Sequence, residues 1–419
     1  MQLSEFKKAG HWPTLLAAFL YFDISFMAWV SLGPLITYIT HSMALSVPEK
    51  FSILSIPVLA GAIFRIPLGI LADTIGSKKT GMGAQIVVIA AVLAVVMFGL
   101  PTKASVEWFG LALGLGGASF AVALPQASRW YPPKYQGVVM GIAGAGNMGV
   151  VLDTLFGPTI AQYLGWQGVF AVLLVPMLLI LAYYAYAVKD APTARNKPSL
   201  SRYKALIATS DSWIFMFFYF ITFGGFVGLA NTLPLYFITQ YHLSPVAAGL
   251  LVSLIVAFGS GFRPVGGYIA DRIGGIRALT VMFAVVLFAY ATISVLSQGP
   301  AAPTAAGWSL MQMPGQVWLT VLLFCGGVLA LGMGNGAVFQ LIPLRFGADI
   351  GAMTGLVGCA GGIGGFFLAK TLGESKAMTG GFGSGFLLFA GLAMCGILAI
   401  TLVKAQWRGT WGAVSGAQV

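Results

Sequence analysis

Residues 64–73 read Phe64-Arg65-Ile66-Pro67-Leu68-Gly69-Ile70-Leu71-Ala72-Asp73, an arginine enclosed in an apolar run that ends on an acid. The pattern returns 198 positions later as Phe262-Arg263-Pro264-Val265-Gly266-Gly267-Tyr268-Ile269-Ala270-Asp271. Phe, Arg, Ala and Asp coincide at this constant offset. The repeat predicts an internal duplication in which each half of the chain contributes one equivalent arginine.

Outward from this repeat, the chain consists of apolar stretches long enough to cross a membrane. A transmembrane helix needs about 20 apolar residues. Twelve stretches meet that length, at about 14–40, 51–72, 81–100, 108–129, 137–163, 168–188, 212–239, 246–270, 278–297, 317–345, 351–372 and 383–403. Charged residues make up 8 % of the 419 and apolar residues 58 %, whereas a soluble domain carries about 25 % charge. The composition excludes a soluble enzyme and predicts an all-α integral membrane protein with 12 transmembrane helices.

A single long polar connection divides the twelve spans into two sets of six. Residues 189–211 are rich in Lys, Arg, Pro and Ser. We therefore predict an N-terminal six-helix lobe at 1–188, a cytoplasmic linker at 189–211 and a C-terminal six-helix lobe at 212–419. Two pseudo-symmetric lobes with a repeated motif are typical of secondary transporters that alternate access to a site near the middle of the membrane.

The basic residues are distributed unevenly between the two ends of the spans. Sixteen of the 22 Lys and Arg fall on the side of the linker and the two termini. Since basic loops face the cytoplasm, both termini are expected there, in a multi-pass protein of a bacterial-type inner membrane. The net charge of +11 is then a topology signal. It indicates membrane lipid as surroundings and no nucleic-acid partner, and we expect a monomer.

The two repeated arginines are predicted to lie near the middle of the membrane. Arg65 and Arg263 each precede the closing aspartate by eight residues, about 12 Å of helix. A charge at that depth costs about 2.5–3.5 kcal/mol, and Asp23 is the only carboxylate expected at a similar depth. One carboxylate cannot neutralise two guanidinium groups, so a small anion is the expected counter-charge. The alternative is a pair of arginines that reach the membrane surface or are paired internally.

Three further motifs carry a resemblance to a known family. Gly69-x-x-x-Asp73-x-x-Gly76-x-Lys78-Lys79 resembles the loop motif of the major facilitator superfamily. The run 141–149, Gly-Ile-Ala-Gly-Ala-Gly-Asn-Met-Gly, resembles the nitrate signature of its nitrate/nitrite porter family, and residues 361–367 resemble the second copy with Gly362 in place of Asn147. The opening span, residues 22–29, looks more like the assimilatory nitrate-uptake branch.

The resemblance implies a major facilitator fold and further contacts around the arginines. The Asn147 amide would donate to the anion, and Tyr219 would contact it from the seventh span. Phe120 and Phe339 would form two aromatic plates that sandwich a flat anion. Structural readings of these residues remain open: an interhelical hydrogen bond for Asn147, and ordinary core or lipid contacts for the phenylalanines.

A second group of charges lies at the cytoplasmic ends of the spans. One interpretation is a set of inter-lobe salt bridges that hold the outward-facing state, formed by Asp73, Asp271, Arg129 and Arg345. The other interpretation is ordinary anchoring and helix capping. The two interpretations differ in whether these charges pair between the lobes or within one.

The sequence says least about how transport is driven, by a proton or by exchange of anions. Asp23 and Asp153 are the only carboxylates within spans, and the three histidines fall at span ends. Either aspartate could carry a proton, or be a structural hydrogen-bonding group. Without a proton carrier, the protein would exchange one anion for another. No catalytic triad, phosphate loop or metal-ligand spacing occurs, so we expect neither an enzyme nor a cofactor nor a metal.

The sequence thus predicts a carrier of nitrate and nitrite, working by proton-coupled uptake or by nitrate/nitrite exchange, with the anion clamped between Arg65 and Arg263. The main alternative is a related transporter of another small organic or phosphorylated anion, which would need more space where the two phenylalanines are expected. A receptor that binds without transporting is the rival from another class.

Overall fold

The computed structural model describes residues 3–132, 136–191, 200–298 and 314–412, and every regular element in those ranges is helical. The N-terminal half contains α1 (Leu3–Lys8), α2 (Trp12–Val30), α3 (Leu32–Ile39), α4 (Val47–Thr74), α5 (Ser77–Phe98), α6 (Lys103–Gly117), α7 (Phe120–Ser128), α8 (Gln136–Gly144) and α9 (Gly149–Ala187). The C-terminal half contains α10 (Leu200–Ile207), α11 (Ser210–Tyr241), α12 (Pro245–Gly261), α13 (Arg263–Ile273), α14 (Gly275–Leu296), α15 (Gly315–Phe346), α16 (Ile350–Thr379) and α17 (Gly383–Gly409).

These helices form twelve membrane crossings. Eleven helical segments of the described chain are long and apolar enough to span a membrane. The longest, Val139–Ala187, has 49 residues, more than twice the length that a bilayer core of about 30 Å requires. It bends at Gly165, whose φ of 71° is non-helical, and therefore supplies spans 5 and 6. The predicted all-α, multi-pass architecture is confirmed.

Several spans are broken near their middle. Span 1 consists of α2 and α3, span 4 of α6 and α7, span 5 of α8, a 3₁₀ turn at Ala145–Met148 and the start of α9, and span 8 of α12 and α13. In span 8, Pro264 is at the start of α13. Its ring cannot pack against the carbonyl four residues earlier, which explains the break. Such breaks free backbone groups in the middle of the protein, where they are available to side chains.

The predicted linker is partly helical. Of residues 189–211, positions 192–199 lie outside the described residues, α10 covers Leu200–Ile207, and α11 begins at Ser210. Arg202 of α10 forms an ion pair with Asp349, just before α16. Burial, and to a smaller extent the charge of Asp73, raises the pKa of Tyr203. The helix α10 therefore lies near the ends of both lobes, on the face that we call the linker side.

The two lobes are closed against each other on the side opposite the linker. There, three glycines contact the other lobe so tightly that an added Cβ would collide. An added Cβ would lie 2.6 Å from the Asn231 carbonyl oxygen at Gly33, 2.5 Å from the Thr154 carbonyl oxygen at Gly249, and 2.8 Å from the Phe51 Cβ at Gly373. Glycines permit this close helix contact.

The linker side is open. An added Cβ would meet nothing within 4 Å at Gly69, Gly141, Gly144, Gly351 or Gly355. These positions belong to spans 2, 5 and 11. These parts of the spans are therefore not packed against a neighbouring helix, and the structure is open on the linker side.

Candidate functional site

Arg65 is held rigidly in the middle of α4. Arg65 is 1 % exposed. Its Nε donates to the Gly117 carbonyl at 3.2 Å, and its Nη1 donates to the Gly358 carbonyl of the other lobe. The Gly117 carbonyl is available because span 4 breaks there: the amide of Ala121 bonds to Ala118 rather than to Gly117. Backbone carbonyls thus supply part of the compensation that a buried cation needs.

Aromatic rings supply further compensation for Arg65. Its guanidinium carbon lies 4.8 Å from the ring centre of Phe223, 5.5 Å from that of Phe120 and 5.7 Å from that of Trp29. All are within the distance at which a ring face attracts a cation. The Trp29 ring is fixed because its Nε1 donates to the Pro57 carbonyl at 2.6 Å. Neither Trp29 nor Phe223 was predicted from the sequence as a contact of this site.

Arg263 approaches the same place from the other lobe but is held more loosely. It lies at the start of α13 and is only partly buried. Its Nη2 is 3.3 Å from the hydroxyl of Tyr219. Its guanidinium carbon lies 5.6 Å from the ring centres of both Phe120 and Phe339. The two arginines therefore share the face of Phe120, and the structure brings together these two predicted residues with both predicted phenylalanines and Tyr219.

Each arginine keeps one buried nitrogen without a partner. The Nη2 of Arg65 and the Nη1 of Arg263 have no hydrogen-bond acceptor among the described residues. Leaving a buried charged donor unsatisfied costs more than the usual 1–3 kcal/mol of a neutral group. Such atoms call for an explanation, and a bound anion is one. Nε and Nη1 of Arg65 each donate one hydrogen bond to a backbone carbonyl, and Nη2 is left with none among the described residues.

The aromatic plates differ from the expected arrangement. The Phe120 and Phe339 ring centres are 6.0 Å apart and the planes are inclined at 63°. Tyr219 packs its edge against Phe339 at 5.2 Å and stacks on Phe223 at 5.1 Å. The two phenylalanines therefore contact each other edge to face in this conformation, and a flat anion would not lie between parallel rings without their rotation.

Asn147 lies in the 3₁₀ turn of span 5. It is 1 % exposed, and its side-chain Oδ1 has no partner among the described residues. The turn packs against α2, where an added Cβ at Gly146 would lie 2.9 Å from the Asp23 nitrogen. A 3₁₀ stretch within a longer helix is a frequent feature of functional hinges.

The two aspartates within spans have different surroundings. Asp23 is half-buried, beside the backbone of Gly149. Asp153 is 1 % exposed, and its Oδ2 has no partner among the described residues. Its side chain lies beside the apolar helix α3. A Cβ added at Gly157 would be 3.6 Å from the Asp153 Oδ1 and 3.9 Å from Pro34 of α3. Asp153 is thus sealed at the closed end of the lobes, whereas Asp23 is reachable.

The charges predicted to form a gate pair within lobes. Asp73 bonds to Arg129, and both belong to the N-terminal lobe. Arg345 bonds to Asp211 at 2.6 Å within the C-terminal lobe, and the same carboxylate accepts from Trp407 at 2.8 Å. Asp271 is exposed. The expected inter-lobe bridges are absent from the described residues because the lobes are apart on this side. The predicted latch concerns the opposite conformation.

The described residues contain no group of His, Cys, Asp and Glu that could hold a metal ion. Polar groups at the site are arginine, asparagine and tyrosine side chains with backbone carbonyls. Such a site can attract and orient an anion.

Comparison with known proteins supports this architecture. Residues 15–369 match the family model described as Major Facilitator Superfamily. The chain is 32 % identical over 388 residues to the nitrite extrusion protein of Bacillus subtilis, covering 91 % of this chain and 92 % of that one. It is 33 % identical over 356 residues to the probable nitrate/nitrite transporter NarK2 of Mycobacterium tuberculosis, covering 84 % and 86 %.

Solved structures share the fold at low sequence identity. A bacterial homologue of the human lysosomal transporter Spinster, in an inward-facing and occupied conformation, has a TM-score of 0.70 at 15 % identity and covers 93 % of this chain and 96 % of that one. The xylose transporter XylE from E. coli, partially occluded and inward open, has a TM-score of 0.68 at 16 % identity, covering 94 % and 97 %.

Proposed function

Because this chain belongs to the nitrate/nitrite porter family of the major facilitator superfamily, a family of transporters and not of enzymes, we propose that it carries nitrate and nitrite across the cytoplasmic membrane by alternating access. The linker side would face the cytoplasm, in accordance with the excess of basic residues there.

The observation that carries this proposal is the pair of arginines with one unpartnered nitrogen each. Arg65 and Arg263 come from different lobes and share the Phe120 ring. Their free nitrogens can each donate one charge-assisted hydrogen bond to the same anion. A monovalent anion bound there offsets part of the repulsion between the two cations, so it favours the approach of the lobes that alternating access requires.

The size of the site favours a small ion. Phe120 contacts Phe339 at 6.0 Å, and Phe339 contacts Tyr219 at 5.2 Å. A sugar phosphate or a larger carboxylate would require a wider separation of these rings than nitrate or nitrite. A transporter of another small organic or phosphorylated anion remains the competing function, and would require these rings to move apart.

Two coupling modes are compatible with the site. In proton-coupled uptake, Asp23 is the better carrier because it is partly exposed in the linker-side-open conformation and adjoins the turn that bears Asn147. Asp153 is sealed there and cannot release a proton to the linker side in this conformation. In exchange, nitrite would replace nitrate at the arginines and neither aspartate would change protonation.

The test is uptake of labelled nitrate into proteoliposomes containing the purified protein. Uptake is measured with an inward proton gradient, with internal nitrite, and with neither, and empty liposomes serve as control. Uptake driven by the gradient alone supports symport, and uptake that requires internal nitrite supports exchange. Absence of nitrate flux in both arms, together with flux of phosphate or a carboxylate, contradicts the proposal.

A further inference from the structure

One serine of span 8 hydrogen-bonds in an unusual way. Serines within helices commonly donate to a carbonyl three or four residues earlier in the same helix. Several serines in this protein do so, with Ser31 bonded to Ala28, Ser55 to Ser52 and Ser253 to Leu250. Ser260 instead donates to the backbone carbonyl of Asn147 in the other lobe, at 3.3 Å. It is 4 % exposed, so it is largely shielded from solvent.

The acceptor lies in the turn that bears a predicted anion contact. Asn147 belongs to the 3₁₀ turn Ala145–Met148, where the helical hydrogen-bond ladder of span 5 is interrupted. A turn without its full ladder is easier to deform than a continuous helix. An external donor to the Asn147 carbonyl therefore restricts the orientation of this residue, including the direction of its buried side-chain amide.

The donor lies one turn before Arg263. Ser260 is three residues before Arg263, at the end of α12, and the break of span 8 at Phe262 lies between them. The bond therefore connects Asn147 of the N-terminal lobe to the segment of the C-terminal lobe that carries Arg263. A second hydrogen bond also connects the lobes. In it, Arg65 of the N-terminal lobe donates to the Gly358 carbonyl of the C-terminal lobe.

We propose that Ser260 is a positioning residue for anion binding: its hydroxyl holds the turn of Asn147 so that the contacts from the two lobes converge on one ion. This inference rests on the proposed function, because it assigns Ser260 a role through Asn147 at the same site. Ser260 itself does not touch the anion.

The first experiment measures the turn without any ligand. Hydrogen–deuterium exchange of the peptide covering residues 145–149 is compared in the full-length wild type, Ser260→Ala and Ser253→Ala. The last variant is a matched control, since Ser253 lies two turns earlier in the same helix but bonds within it. Ser260→Ala is expected to exchange several-fold faster in this peptide, and Ser253→Ala to be unchanged. Equal exchange in all three proteins overturns the inference, whether or not nitrate binds.

The second experiment is a double-mutant cycle on nitrate binding. Loss of one neutral hydrogen bond corresponds to a change in Kd of about three- to tenfold. Ser260→Ala is expected to raise the Kd by that factor when Asn147 is present, and by less than about twofold in an Asn147→Ala background. Ser260→Thr keeps the hydroxyl and is expected to bind nitrate as the wild type does. An equal effect in both backgrounds contradicts action through Asn147. Absence of nitrate binding by the wild type contradicts the proposed function alone.

Discussion

Replacing each arginine by lysine should separate its structural role from its binding role. Arg65→Lys removes the donors to two buried carbonyls, those of Gly117 and Gly358. At about 1–3 kcal/mol for each unsatisfied group, unfolding should become easier by about 2–6 kcal/mol. For a chain of 419 residues, that corresponds to a Tm lower by roughly 2–6 °C. Arg263→Lys removes only one hydrogen bond, to the Tyr219 hydroxyl; at about 0.5–1.5 kcal/mol for one net hydrogen bond, its Tm should fall by only about 1 °C.

Both substitutions should weaken nitrate binding to a similar extent. Each removes one unpartnered guanidinium nitrogen, Nη2 in Arg65 and Nη1 in Arg263. A charge-assisted hydrogen bond contributes about 1.5–3 kcal/mol, so the Kd should rise by about 10- to 100-fold. The assay combines calorimetric titration of nitrate with thermal unfolding of the same samples in detergent. An unchanged Kd in Arg263→Lys, or an equal loss of Tm in both variants, would refute the assignment of a fixed and a mobile arginine.

Four further outcomes follow from the same geometry. Phe120→Ala removes a ring that both guanidinium groups face. At about 1 kcal/mol for each cation–π contact, the Kd for nitrate should rise about 10- to 30-fold. Titrations with Phe109→Ala, whose ring packs on Phe170, provide the control. Gly69→Cys and Gly355→Cys, at open positions, should react with a membrane-impermeant maleimide from the linker side only; reaction from the other side would contradict the closed face. Asp23→Asn should abolish proton-driven nitrate uptake and spare exchange, while Asp153→Asn, at a sealed position, should retain both; loss of uptake in Asp153→Asn alone would reverse this assignment. Burial, and secondarily the charge of Lys189, lowers the pKa of His11, whose Nδ1 accepts from the Thr14 amide. Its contribution to stability is therefore present above about pH 6.5 and is lost as the pH falls through its lowered folded-state pKa. His11→Asn should flatten the dependence of Tm on pH in that range, and an unchanged profile would exclude this cause.

The fold could be predicted because its determinants are local in sequence. Length and apolarity of each span identify a membrane helix, and the repeat around Arg65 and Arg263 identifies the two halves. The bend at Gly165 separates spans 5 and 6 where two apolar stretches, 137–163 and 168–188, were predicted. The helix in the linker was not predicted, since α10 is short and polar, and its position depends on Arg202 and Asp349 meeting across 147 residues.

The site could be predicted only in its charged and motif-bearing members. Arg65 and Arg263 are conspicuous because charge is costly within a membrane. The carbonyls of Gly117 and Gly358 leave no signal in the side-chain sequence, because any residue carries one. Phe223 lies one turn after Tyr219 on the same helix face, which was an available signal, but with 30 phenylalanines in the chain it did not stand out.

The predicted gate concerns a conformation other than the one in this structure. Asp73, Arg129 and Arg345 were recognised as charges at span ends, but sequence cannot specify which conformation is populated. In the linker-side-open structure each pairs within its own lobe, Asp73 with Arg129 and Arg345 with Asp211. Inter-lobe pairing of these groups stays a prediction for the conformation in which the linker side is closed.

We propose that the buried Arg65 and the partly buried Arg263 together bind a small planar anion. Calorimetric titration of the purified wild-type protein with nitrate, nitrite, phosphate and lactate, at one pH and ionic strength, tests it most directly. We expect saturable binding of nitrate and nitrite at one site per chain, with phosphate and lactate at least tenfold weaker. Saturable binding of phosphate or lactate without binding of nitrate would contradict it.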